Sequence, residues 1–120
     1  MNDYEKRLTG TKRHYPFAEW QASGLEQYTE EACAAFAEVF DRLIEKLADL
    51  GEHAAETQKL AAFQKAVAAL NTLNDEDESL IETGEREELC ELCNLVATAA
   101  GIDWKKYGDG EGPASEWRDW

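Results

Sequence analysis

Apolar residues recur at alternating steps of three and four through the middle of this chain, and this spacing constrains the fold more than any other feature. Between residues 33 and 50 the series is Cys33, Phe36, Phe40, Leu43, Leu47 and Leu50. Such steps keep side chains on one face of an α-helix, whereas a half-buried strand needs alternation at every second residue. We therefore predict an amphipathic helix over residues 30–50, with Thr29 as its N-terminal cap and Gly51 as its end.

Two later segments show the same spacing. The second has Leu60, Phe63, Val67 and Leu70, and the third has Leu89, Leu92, Cys93, Val96 and Ala100. They predict helices at about residues 53–74 and 84–100, the latter capped by Thr83 and ended by Gly101 with Ile102 folded back over its last turn. The second segment has no net charge and lies between two acidic segments, so we expect its helix to be the central and most enclosed one. The predicted fold is all-α, a three-helix bundle.

The two ends of the chain lack this periodicity and hold every tryptophan and tyrosine. Residues 1–28 mix basic and aromatic side chains around Pro16, which predicts an irregular N-terminal arm. Residues 29–120 form the single predicted helical domain, with a tail at 101–120 that closes in a short helical turn. Because Trp and Tyr rings are amphipathic, we expect these ends to pack over the bundle or to meet a partner.

Acidic side chains are concentrated between residues 74 and 91. This run holds nine of the 26 Asp and Glu residues and one base, Arg86, so it contributes −8 to a net charge of −14. We expect residues 75–79 to form an exposed loop between the second and third helices. Charge of this sign repels nucleic-acid phosphates and anionic lipids, which argues against direct binding to nucleic acid or membranes. A basic protein is the favoured partner.

The predicted function is that of an acidic protein-binding module, an inhibitor or immunity-type protein that neutralises a basic toxin or nuclease. Long-range attraction would steer such a protein onto its target. The predicted contact surface combines acids with three aromatic anchors: Asp75, Glu76, Asp77, Glu78, Glu85, Glu88, Glu91, Trp104, Trp117 and Trp120. An alternative is a non-catalytic helical protein that forms a homodimer through the exposed stripe of the first predicted helix.

No motif in the sequence is strong enough to name a reaction, so we predict no catalytic residue, no cofactor and no metal. A further alternative is an enzyme or metal protein that uses Glu82 with Arg86, or the paired thiols Cys90 and Cys93. The spacing of that pair is also that of neighbours in a helix core, and a zinc site needs about four ligands. Three cysteines in all, and charges where a signal peptide needs an apolar core, predict a cytoplasmic protein.

Three stretches resemble a group of small bacterial proteins: LIETGEREELC at residues 80–90, AVAALNTLN at residues 66–74 and SEWRDW at residues 115–120. The resemblance covers roughly the C-terminal half of the chain and leaves residues 1–28 outside the pattern. It implies a bacterial, cytoplasmic, helical domain, and it brings no catalytic residue or activity to this sequence.

Overall fold

The computed structural model describes residues 2–77 and 80–120, and the regular elements in these two ranges are all helical. The α-helices are α1 (Asp3–Gly10), α2 (Phe17–Ala22), α3 (Glu30–Leu50), α4 (Glu56–Glu76), α5 (Thr83–Ala99) and α6 (Ala114–Trp117). Single 3-10 turns lie at Thr11–His14, Trp104–Lys106 and Gly108–Gly110. The all-α prediction is confirmed, but a three-helix bundle is too simple a description. Within the described ranges, no helix combines the length and apolar character needed to cross a membrane.

The two longest helices, α3 and α4, form an antiparallel pair, because only residues 51–55 connect them. Thr29 caps α3 as predicted, since its Oγ1 accepts a hydrogen bond from the Ala32 N–H at 3.1 Å. Gly51 follows the last helical residue with a φ of 87°, a backbone conformation that favours glycine. The predicted bounds of this first long helix, residues 30–50, are confirmed.

The other two long helices differ from the prediction at their ends. α4 begins at Glu56, and it continues through Asp75 and Glu76, which the sequence assigned to a loop. Acids are unfavourable at a helix C-terminus, so the sequence signal favoured a loop, yet the Asp77 N–H still donates to the Leu73 carbonyl at 3.3 Å. α5 has Glu82 rather than Thr83 in its N-cap position, and its bounds lie within one residue of those predicted.

The prediction of an irregular arm over residues 1–28 is wrong where the structure describes this segment. Residues 3–10 and 17–22 form α1 and α2, which pack on α3. Tyr4 and Leu8 of α1 are buried, as are Phe17 and Trp20 of α2. Each of these short helices has only two buried apolar residues, about one turn apart, which is too few to establish a helical period in the sequence. The N-terminal segment is therefore part of the core.

The central helix is α3, because α1, α2 and α4 all pack against it. The prediction that the second long helix is the most enclosed is therefore wrong. Aromatic rings join α2 to α3: the Phe17 ring lies 5.1 Å from that of Trp20 and 5.9 Å from that of Phe36, centroid to centroid. Such pairs contribute about 0.5–1.5 kcal/mol each beyond the burial of their surface. Aromatic residues from the N-terminal end thus pack over the bundle.

The end of α5 follows the prediction closely. Gly101 has a φ of 83°, its N–H donates to the Thr98 carbonyl at 3.0 Å, and the Ile102 N–H donates to the Ala97 carbonyl at 2.9 Å. This pair of bonds closes the helix, and Ile102 is buried. The tail then returns to the bundle, where α6, the predicted C-terminal turn, packs against α4 and α5.

Candidate functional site

Acids of three helices lie at the same end of the molecule. Because α3 and α4 are antiparallel, the start of α3 lies beside the end of α4, and a short connection leads from there to α5. Tyr28, two residues before α3, joins these segments, since its hydroxyl donates to the Leu80 carbonyl at 2.7 Å. The acidic end is defined here as Glu30, Glu31, Asp75, Glu76, Asp77, Glu82 and Glu85.

The environment of Tyr28 places the acids of α5 next to the start of α3. Tyr28 is 2% exposed, and burial raises the pKa of its hydroxyl, with further contributions from the carboxylates of Glu85 and Glu82. The buried hydrogen bond to Leu80 holds the α4–α5 connection against the core. The acidic end is therefore supported by a fixed internal contact.

The position of Asp75 and Glu76 is unfavourable for their charge. They are the last two residues of α4, where the helix dipole is negative, and no basic residue lies in that turn. Glu30 and Glu31, in contrast, lie in the first turn of α3, where the dipole is positive. Within residues 2–77 and 80–120, none of these four acids takes part in an ion pair. Their negative charge is therefore not neutralised by a direct ion pair within these ranges.

Two other acids predicted for the contact surface lie farther along α5. Glu88 is half-buried, and its Oε2 accepts a hydrogen bond from the Trp20 indole N–H at 3.1 Å, so it serves a contact within the protein. Glu91 is exposed and lines a shallow depression with His14. Glu78 lies outside the described residues. Asp75 and Glu76 thus lie in the last turn of α4, with Asp77 directly after them, and Glu85 lies in the first turn of α5. Glu88 and Glu91 lie farther along the side of α5.

The three predicted aromatic anchors are half-buried and pack against the core. Asn71 of α4 holds the chain around two of them: its Nδ2 donates to the Trp117 carbonyl at 3.0 Å, and its Oδ1 accepts from the Asp119 N–H at 3.1 Å. Asn71 lies little more than one turn before the end of α4, so Trp117 and Trp120 adjoin the acidic end. Trp104 lies elsewhere, in a depression on the side of α5.

The residues of the enzyme or metal-protein alternative lie in surroundings that do not favour a reactive thiol, a Glu82–Arg86 ion pair or a metal ion. Cys93 is buried and Cys90 is half-buried, and burial raises the pKa of both thiols, which disfavours the reactive thiolate. Glu82 is exposed, and the described part of the chain contains no ion pair between Glu82 and Arg86. In the same ranges, no three His, Cys, Asp or Glu side chains are grouped in a way that could hold a metal ion.

An apolar groove between α3 and α4 is a second surface feature, and the sequence did not predict it. The groove has a volume of about 680 Å³. Its lining includes Ala35, Val39, Leu43, Ala62, Ala66, Ala69 and Leu73, with Glu38, Arg42, Lys46 and Lys65 as the charged residues. The seven alanines of the predicted second helix were the available signal, because small side chains leave space between helices.

No family model, curated protein or solved structure significantly matches this chain.

Proposed function

We propose that this protein is an acidic binding module that inhibits or neutralises a basic protein, such as a toxin or a nuclease, through its acidic end. The supporting observation is the placement of Asp75 and Glu76 at the negative end of the α4 dipole, with no base in that turn. Each acid in such a position destabilises the folded chain by about 0.3–1 kcal/mol. A cationic partner would reverse this effect, because Lys and Arg side chains interact favourably with carboxylates and with a helix C-terminus.

The wider surface suits the same role. A net charge of −14 attracts a basic protein at long range, and this attraction raises the rate of association more than the final affinity. Trp117 and Trp120 add apolar surface next to the acidic end, of the kind that contributes strongly to affinity at protein interfaces. Glu91 and Trp104, on the side of α5, would extend the contact for a large partner.

The experiment is a comparison of association rates. The immobilised protein is used to capture a basic partner from a cell lysate at low salt, and the partner is then identified and purified. Stopped-flow measurements follow at about 0.05 M and 0.5 M salt, where the screening lengths differ about threefold. The double variant Asp75→Asn/Glu76→Gln should associate severalfold more slowly than the natural protein at low salt, and the two rates should converge at high salt. An inhibition assay of the partner's own activity shows whether binding neutralises it.

A matched control distinguishes the effect of the acidic end on the association rate from the effect of net charge. Glu45→Gln/Asp49→Asn removes two exposed charges of the same sign from the opposite end of α3. We expect this control to keep the natural association rate to within about twofold, since its charges lie beyond a screening length from the contact. Equal slowing by both double variants, or by neither, would contradict binding through the acidic end.

A further inference from the structure

The α3–α4 groove is lined along several turns of both helices, which makes it long enough for one further helix. Apolar side chains of both helices line it, among them Val39 and Leu43 of α3 and several alanines of α4. On α4 the lining extends from Gln58 to Leu73, which is 15 residue steps and about 22 Å. Small residues allow another helix to approach to an interaxial distance of about 8 Å.

The charged residues of the groove have the opposite sign to the rest of the protein. They are three bases, Arg42, Lys46 and Lys65, and one acid, Glu38, so the groove carries +2 in a chain of −14. Arg42 and Glu38 form an ion pair at 2.6 Å. Lys46 and Lys65 are exposed, and neither takes part in an ion pair within residues 2–77 and 80–120. The uncompensated charge at the groove is therefore positive.

We propose that the α3–α4 groove binds an amphipathic helix of a partner protein, with an apolar stripe against the groove floor and acidic residues along its flanks. The apolar floor would take side chains at helical spacing, as grooves that bind helices do. Lys46 on one side and Lys65 on the other would pair with the acidic flanks. This site is separate from the acidic end and selects a partner of opposite charge, so it does not depend on the function proposed above.

The charges argue against a second copy of the same chain as the occupant. Lys65 lies near the middle of α4, so a two-fold axis through the groove would set Lys65 against its own symmetry mate. Each copy would also bring a net charge of −14. An acidic helix on an otherwise different protein avoids the first repulsion and gains two ion pairs.

The test uses two synthetic peptides of about 16 residues, the length that spans the groove. Both have leucines at helical spacing, and they differ only in flanks of glutamate or of lysine. Their affinities are measured by fluorescence anisotropy at about 0.15 M salt, where charges more than about 8 Å away are screened. Net protein charge alone would favour the lysine peptide. The groove predicts the reverse, with the glutamate peptide bound about tenfold more tightly.

Two matched variants locate the binding. Lys46→Glu/Lys65→Glu reverses the groove charge and should weaken the glutamate peptide about tenfold, whereas Lys105→Glu/Lys106→Glu makes the same change at exposed positions outside the groove and should leave its affinity within about twofold. A tighter lysine peptide, an unchanged affinity in the groove variant, or no binding of the glutamate peptide at about 1 mM would overturn the proposal. Sedimentation that reveals a dimer broken by the groove variant would overturn it in favour of a second copy.

Discussion

Neutralising acids at the end of α4 should stabilise this protein, whereas the same change at the start of α3 should destabilise it. Asp75→Asn/Glu76→Gln and Glu30→Gln/Glu31→Gln each remove two exposed negative charges from the acidic end. The first pair lies in the last turn of α4 and the second pair lies in the first turn of α3. The two variants therefore differ in the sign of the helix dipole at the altered side chains.

The helix dipole sets the size of the expected change in the free energy of unfolding. An exposed charge in a terminal turn is worth about 0.3–1 kcal/mol, so the α4 variant should gain about 0.6–2 kcal/mol in free energy of unfolding, and the α3 variant should lose a similar amount. Repulsion among the carboxylates of the acidic end falls in both variants and shifts both in the same direction. The difference between them, about 1–4 kcal/mol, therefore isolates the dipole contribution. Exchange of Glu for Gln, or of Asp for Asn, changes helix propensity little.

Urea unfolding followed by far-UV circular dichroism measures this difference. The measurement is made at about 0.02 M and at about 1 M salt, because salt screens the dipole effect at exposed helix ends. We expect the difference between the variants to shrink at high salt. Equal shifts of both variants in one direction would show that repulsion, not helix position, governs stability here. That result would also remove the physical argument for binding through Asp75 and Glu76.

Two further predictions concern the core. Lys59 is 5% exposed, and its Nζ donates to the carbonyls of Glu52 at 2.7 Å and Ala100 at 2.8 Å. Each such bond contributes about 1.5–3 kcal/mol, and loss of the buried charge offsets part of this, so Lys59→Met should lower the free energy of unfolding in urea by about 2–4 kcal/mol. Unchanged stability would mean that the desolvation cost of the buried charge cancels both bonds. Burial and the hydrogen bond to Asp41 raise the pKa of Tyr15 above its ordinary 10.0. A group with a raised pKa stabilises the folded state below the unfolded pKa and loses that contribution as the pH rises above it, so tyrosinate absorbance above pH 10 should increase together with loss of the helical signal. A titration centred near pH 10 in a fully helical protein would contradict this burial.

The long helices could be predicted because their apolar faces repeat over several turns. The six periodic apolar residues between positions 33 and 50, together with the cap at Thr29, were enough to predict α3 and its bounds. The short N-terminal helices could not be predicted in the same way, since what orders them lies far away in the chain. Tyr4 of α1 donates a hydrogen bond to Leu47, 43 positions away, and Trp20 of α2 donates one to Glu88, 68 positions away.

The candidate site could be predicted only in part from the sequence, for a related reason. The sequence located the concentration of acids and three tryptophans, but it treated them as one surface. In the structure Glu88 bonds to Trp20 and Trp104 lies along α5, whereas Trp117 and Trp120 adjoin the acidic end. Whether an acid faces solvent or a neighbouring helix depends on which side of its helix the rest of the chain covers.

The sequence by itself determined that the chain is helical, where its three long helices lie to within a few residues, and that most of its excess charge is negative. These are local properties, because helical periodicity and charge density are set by residues within a few turns of one another. The tertiary structure alone decided that Asp75 and Glu76 close α4 at its negative end beside the start of α3. It also decided that Lys46 of α3 and Lys65 of α4 lie at one apolar groove. Both surfaces combine residues from different helices, and only packing brings such residues together.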